Sequence, residues 1–245
     1  MTRLRTRRKP PPYINASRRH LKMAVQRFAR GTKPGMVVLD AGAGKSPYRK
    51  FFGHATYEAA DFAALSTKYA PLDYVCDISD IPVEDERFDR VLFNQVLEHL
   101  PEPRAALAEL HRVLKPDGRL FCSVPLFYEE HQQPYDFYRY TQFSLRKVFE
   151  EAGFEVVRID WLEGYLGTVS YQFHQMYRWL PRDVRTIRSM GVGWRIVYVA
   201  PMILATRYVA GRLRAPFARA DVAWKYTAQG MPKNYVLVAR KPLPA

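Results

Sequence analysis

The stretch Met36–Tyr48, MVVLDAGAGKSPY, restricts this chain more than any other. Met36, Val37, Val38 and Leu39 form a short apolar run rich in β-branched residues, the composition of a strand buried on both faces. The run ends in Asp40 and passes at once into Ala41-Gly42-Ala43-Gly44. Glycine there permits positive φ and lets a ligand approach the main chain without a Cβ in the way. A strand, an acid and a tight glycine turn make a nucleotide-type cradle at the carboxyl edge of a parallel sheet. The third glycine of a dinucleotide fingerprint is missing, and the glycine spacing excludes a phosphate-binding P-loop. An ordinary turn after a core strand reads the same way in isolation, so the strands further along the chain decide between the two.

The chain has 245 residues, 48% of them hydrophobic, enough for one large domain or a domain with an appendage. Its two cysteines, Cys76 and Cys122, lie in apolar, strand-like runs, which points to reduced thiols and a cytoplasmic setting. The basic N-terminus lacks the apolar segment of a secretory signal, so export is not expected. The formal charge of +14 sits at the two ends. Residues 1–16 read as a flexible basic arm, interrupted by Pro10-Pro11-Pro12. Such an arm is either a solvated tail or a tether to an anionic surface. From Ser17 a helix is predicted, with Leu21, Val25 and Phe28 on one face and Gly31 at its end.

Further strands are predicted over 55–60, 74–76 and 90–93, ending near Asp61, Asp77 and Asn94. With Asp40 these put polar groups on one sheet edge. A carboxylate about twenty residues beyond the glycine turn can accept both hydroxyls of a ribose, although Asp61 can also cap a helix from Phe62. A helix over 105–114 with Gly118 as its stop, a strand over 119–124, a helix capped by Thr141 and ended by Gly153, and a strand over 154–159 complete the pattern. Asn234–Pro242 reads as the last strand.

LDAGAG, YEAAD, CDISDIP, FDRVLFNQVLEHLPEP, ALAELHRVLKPDG and RLFCSVP together resemble the class I S-adenosylmethionine-dependent methyltransferases, most of all the type 11 group that includes the quinone-biosynthesis enzymes. The resemblance spans Val37 to Ile159. It implies a Rossmann-like, doubly wound α/β fold with a seven-stranded sheet whose last strand is antiparallel, and S-adenosyl-L-methionine as cofactor. It further implies that Asp40, Ala41, Gly42 and Gly44 hold the methionine part, and that Asp61 binds the ribose with Phe62 beside the adenine. Asp77 would take the adenine amine with the Ile78 backbone on the ring, and Asn94 and Gln95 would line the sulfonium end.

Leu126–Thr141, LFYEEHQQPYDFYRYT, is a segment the ordinary fold does not need, and its His-x-x-Pro-Tyr-Asp-x-x-Arg-Tyr-Thr run resembles a subset of type 11 enzymes. Methyl transfer mainly needs alignment, but a hydroxyl nucleophile must also lose its proton. His131 is the expected base, with Asp136 as its orienter and Arg139 as an anion clamp; the alternative is that all three merely tie the loop down. His99 is expected to brace the pocket wall. No His, Cys and carboxylate group has metal-ligand spacing, so no metal is expected.

A helical insertion over about 163–232 is predicted within a methyltransferase domain of 17–245. Ile196–Thr206 is apolar and edged by Arg195 and Arg207, and by itself is too short for a bilayer of about 30 Å. It suits a helical lid, a homodimer surface or a peripheral contact at the inner face of the membrane. The expected function is methylation, on oxygen first, of a small-molecule, glycan or lipid-linked acceptor. Nucleic-acid methylation is the weaker alternative, because Asn94 is followed by Gln95-Val96 rather than a Pro-Pro-aromatic run. A non-catalytic cofactor-binding module is the other.

Overall fold

The structure is a computed structural model that describes residues 13–63 and 68–244. Most of the basic arm expected over 1–16, and most of any helix begun at Phe62, lie outside the described residues. The chain divides into two compact units. One comprises His20–Leu162 with the C-terminal segment from Pro232; the other comprises Glu163–Met231 with the described residues through Arg19.

The first unit is built on a seven-stranded sheet. Its strands are β1 (Val37–Ala41), β2 (Thr56–Asp61), β3 (Tyr74–Val75), β4 (Phe88–Asn94), β5 (Leu114–Pro125), β6 (Glu155–Trp161) and β7 (Asn234–Arg240), in the order β3-β2-β1-β4-β5-β7-β6. The pairs from β3 through β5 are parallel, and β7 lies antiparallel between β5 and β6. The expected α/β fold with an antiparallel last strand is therefore present. Parallel pairing brings the carboxyl ends of β1, β2, β3 and β4 to one edge, where open α/β sheets bind ligands.

Both faces are covered. Leu21, Val25 and Phe28 of α1 (Ala16–Arg30) are buried among Val38, Leu92, Phe121 and Val238. The opposite face packs on α2 (Pro103–Val113) and α3 (Gln142–Glu151) through Leu107, Leu110, Leu145 and Phe149. One boundary differs from expectation. Gly118 does not stop α2, which ends at Val113; the chain enters β5 at Leu114, and the register shifts before Arg119 pairs with Arg90. Pro116 explains this, because the residue before a proline is biased to extended backbone. Gly118 is kept small by the tight path of the strand: a Cβ there would lie 2.6 Å from the Lys115 carbonyl oxygen.

The second unit contains α4 (Tyr165–Trp179), α5 (Val184–Ser189) and α6 (Ile196–Ala223). The helices α4 and α6 pack closely. Gly211 lies against the Tyr177 ring, Phe173 meets Phe217 edge-on at 5.3 Å, and the Ser170 hydroxyl donates to the Arg214 carbonyl. Arg207 donates to the carbonyls of Tyr177 and Leu180, closing the carboxyl end of α4. Arg214 is buried over the Tyr177 ring at 4.2 Å. Two of the arginines near the apolar run thus serve packing between helices. The run itself belongs to a longer helix than its own length suggests: among the described residues, Gly193–Ala223 is long and apolar enough to cross a membrane by length and composition, and little of its most apolar stretch is buried.

Candidate active site

The glycine turn after β1 is fixed by bonds to the next strand. Gly42 and Ala43 donate to the Ala60 carbonyl at 2.8 and 3.0 Å. Gly42 has φ +74°, and a Cβ there would run into Val96. Gly44 has φ +51°, but no atom lies within 4 Å of where its Cβ would stand. The turn is therefore packed on one side and open at Gly44, as a cradle for a ligand requires. Asp61, at the end of β2, accepts the Gly44 N–H at 2.9 Å and the Ala63 N–H at 3.0 Å. These bonds leave lone pairs on both carboxylate oxygens for a ligand's hydroxyls.

Asp40 is placed differently. Its carboxyl is buried beneath Tyr57, whose hydroxyl donates to it. Burial pushes the Asp40 pKa up to about 7, although the Tyr57 hydrogen bond works against the rise. The same burial, with the neighbouring carboxyl, drives the Tyr57 phenol well above its usual value. Asp40 braces the floor of the turn, and Ala41 beside it is buried. Phe62 is 59% exposed at the sheet edge. The Asp77 carboxylate is exposed and accepts the backbone N–H and hydroxyl of Ser79 at 2.8 and 2.7 Å. The Ile78 side chain is in the core, so its backbone is the part left for a ligand.

At the end of β4, Ser123 organises two of the expected residues, and no sequence signal marked it. Its hydroxyl donates to Asn94 Oδ1 at 2.6 Å and accepts from Gln95 Nε2 at 3.1 Å. Gln95 has φ +56°, and its N–H bonds to the Ser123 carbonyl at 2.9 Å.

The loop over 126–141 is tied to the residues just beyond β4. The Glu98 carbonyl accepts N–H groups from Phe137 and Tyr138 at 2.9 and 3.2 Å, His99 Nδ1 bonds the Tyr135 carbonyl, and the Tyr138 hydroxyl donates to the Pro101 carbonyl. Within the loop, Arg139 grips Asp136 with two parallel bonds of 2.7 and 2.8 Å. Its other N–H groups go to the carbonyls of Tyr128, Glu129 and Tyr138. All five guanidinium donors are engaged inside the loop, so among the readings the sequence offered, the structure shows Arg139 clamping a carboxylate of the loop itself. Its fork holds the Asp136 carboxyl well below the usual carboxylate range. Asp136 in turn accepts the His131 backbone N–H at 2.8 Å and lies 3.2 Å from His131 Nδ1. His131 Nδ1 bonds the Glu129 carbonyl at 3.2 Å, which can only accept, so Nδ1 carries the donor proton beside the Asp136 carboxylate and Nε2 is left for other chemistry.

Two residues beside His131 have a larger place than their sequence position suggested. Glu98 is fully buried, with neither carboxylate oxygen hydrogen-bonded, and burial raises its pKa to about 8. The His99 ring stands edge-on to His131 at 4.7 Å. Sequence spacing hid this group, because it forms only when the loop folds back on the Leu97–His99 turn.

A family model described as "Methyltransferase domain" matches residues 13–159. A ubiquinone biosynthesis O-methyltransferase of Maricaulis maris is 24% identical over 231 residues, covering 86% of this chain and 75% of that protein. A demethylmenaquinone methyltransferase of Renibacterium salmoninarum is 33% identical over 115 residues, 44% of this chain and 48% of its own length. The chain thus spans about half the length of one of these relatives and three quarters of the other. Among solved structures, 1,6-didemethyltoxoflavin-N1-methyltransferase of Burkholderia thailandensis, with bound 1,6-didemethyltoxoflavin and S-adenosylhomocysteine, matches with a TM-score of 0.51 at 18% identity. That match covers 93% of this chain and 78% of the other, a likeness of fold.

Proposed function

The chain belongs to the family of S-adenosylmethionine-dependent methyltransferases, and from that premise we propose that it methylates a hydroxyl group on a small molecule, glycan or lipid-linked intermediate. The observation that carries this reading is His131, held beside Asp136 and clustered with His99 and the buried Glu98. A hydroxyl acceptor must lose a proton as it reacts, and these groups put proton-handling chemistry just beyond the end of β4. The O-methyltransferase name of a relative aligned over most of the chain supports the same choice.

The cofactor supplies a methyl group already activated on a sulfonium. Toward it, Gly44 offers an open main chain, Asp61 holds the ribose hydroxyls, and Asp77 with Phe62 takes the adenine. Asn94 and Gln95, locked by Ser123, line the sulfonium end with fixed dipoles. Alignment of acceptor and methyl supplies much of the rate, and the pocket around His131 is where the acceptor's proton is lost. A lipid-linked acceptor is favoured within the class by the apolar residues Trp194, Val197 and Met202, which α6 and the turn before it leave exposed.

Calorimetric titration with S-adenosylmethionine tests the cofactor site: wild type binds, and Asp61→Ala weakens binding strongly. An acceptor screen over phenols, sugars and polyprenyl-linked sugars then tests the rest. With the true acceptor, His131→Ala lowers turnover by about 10²–10⁴ while leaving cofactor affinity unchanged. Turnover on nucleic acid alone would overturn the reading.

A further inference from the structure

We propose that Glu98, His99 and His131 form a binding site for one divalent first-row transition-metal cation, zinc being the best match. One ligand atom from each residue lies within 4.8 Å of the others, and Glu98 Oε1 stands 3.7 Å from His99 Nε2. Metal bonds of about 2.0–2.2 Å in a tetrahedral site put ligand atoms about 3.4 Å apart. Separations of up to 4.8 Å exceed that spacing, so binding of the cation would draw the three side chains together.

Three independent features point to a ligand rather than to packing. First, both Glu98 carboxylate oxygens are buried without a hydrogen bond. An unpaired buried carboxyl is costly, and a cation removes the cost. Second, the His99 Nδ1 contact is to a carbonyl oxygen, which can only accept. Nδ1 therefore carries the proton, and Nε2, itself buried and without a partner, has its lone pair toward Glu98. Third, His131 Nδ1 is held by the Glu129 carbonyl with the Asp136 carboxylate beside it, a second-layer arrangement of the kind that orients metal-binding histidines. Two imidazoles and one carboxylate suit zinc or its mid-row neighbours and disfavour magnesium and calcium, which prefer oxygen.

Three protein ligands leave a position open, the pattern of reactive sites and not of purely structural ones. The position of the cluster makes that useful. Val96, against which Gly42 packs, is two residues along the chain from Glu98. A hydroxyl bound at the open position would have its pKa lowered. That role rests on the methyl-transfer reading, whereas binding of the cation does not.

The test uses tag-free, chelator-stripped full-length protein titrated with zinc chloride by calorimetry and with cobalt chloride by visible absorption. One equivalent of zinc is expected to bind, and cobalt to give the d–d bands of a low-coordinate nitrogen and oxygen site. His131→Ala, on a partly exposed loop residue, is expected to weaken zinc binding by at least about tenfold, with S-adenosylmethionine affinity unchanged as the sign of an intact fold. His99→Gln does the same from the other side. Absence of zinc binding by wild type that still binds S-adenosylmethionine overturns the proposal. So does zinc affinity that both variants leave intact.

Discussion

Asp40 shows how a motif residue takes its role from what surrounds it. It closes β1 as the motif requires, but Tyr57 covers it and its acid form is favoured up to about pH 7. A carboxyl whose folded pKa lies above its unfolded value of 3.8 costs stability as pH rises between the two. Over about three pH units that reaches about 4 kcal/mol at most. Asp40→Asn removes the proton exchange, so the melting temperature of wild type relative to that variant should fall between pH 4 and pH 7; a constant difference would refute the shift. Gly42 is the second position where one atom decides. Its positive φ and its contact with Val96 both oppose a side chain. Gly42→Ala should therefore lower stability by a few kcal/mol, on the order of other overpacking and strain costs. Gly44→Ala meets no neighbour in the folded chain. Its larger effect is expected on cofactor affinity, measured by the same titration.

At the scale of elements, caps and turns set the boundaries that periodicity leaves loose. Thr141 accepts the Ser144 N–H at the start of α3. Thr141→Ala should cost about 1 kcal/mol, a fall of about 2–4 °C in Tm for a chain of this size, with Thr141→Ser close to wild type. Phe149 is fully buried on the same helix, and Phe149→Ala should cost about 3–5 kcal/mol in denaturant unfolding. Elements with their own local signature were legible in sequence. The apolar run before Asp40, the Thr141 cap and the leucine stripe of α2 each encode themselves within a few residues, whereas Ser17, expected to cap α1, lies inside that helix and Asn15 accepts the Arg18 N–H in its place. Gly118 misled because glycine after a helical stripe usually ends it, whereas Pro116 had already turned the chain into β5. The pocket was least legible. Glu98 and His99 are neighbours in sequence, but His131 reaches them only through a loop whose path depends on Arg139 and Asp136. No spacing rule encodes a contact of that kind. Whether Arg139 clamps substrate or loop was open in the sequence, and its five bonds to four loop residues are what the fold supplies.

For the molecule as a whole, the formal charge is +14, and the segment leading into α6 exposes both cations and apolar side chains. Arg182, Arg185, Arg188 and Arg195 are exposed in the segment that leads into Trp194 and Val197. Cations beside exposed apolar and aromatic side chains are the pattern of an interfacial helix. The protein should float with vesicles containing phosphatidylglycerol and much less with phosphatidylcholine alone. Trp194→Glu combined with Val197→Glu should reduce flotation, and salt near 1 M, where the Debye length is about 3 Å, should weaken the electrostatic part. Equal recovery with and without anionic lipid would remove charge from the explanation.

The place of β7 has a bearing on how the protein is made. It lies between β5 and β6 and pairs with both, yet it is the last strand to be synthesised. Until β7 is made, the side of β5 away from β4 is unpaired and β6 has no partner in the sheet. A chain halted before β7 would therefore be the sticky species, and a chaperone that shields strand edges would act on it until residues 234–240 pair.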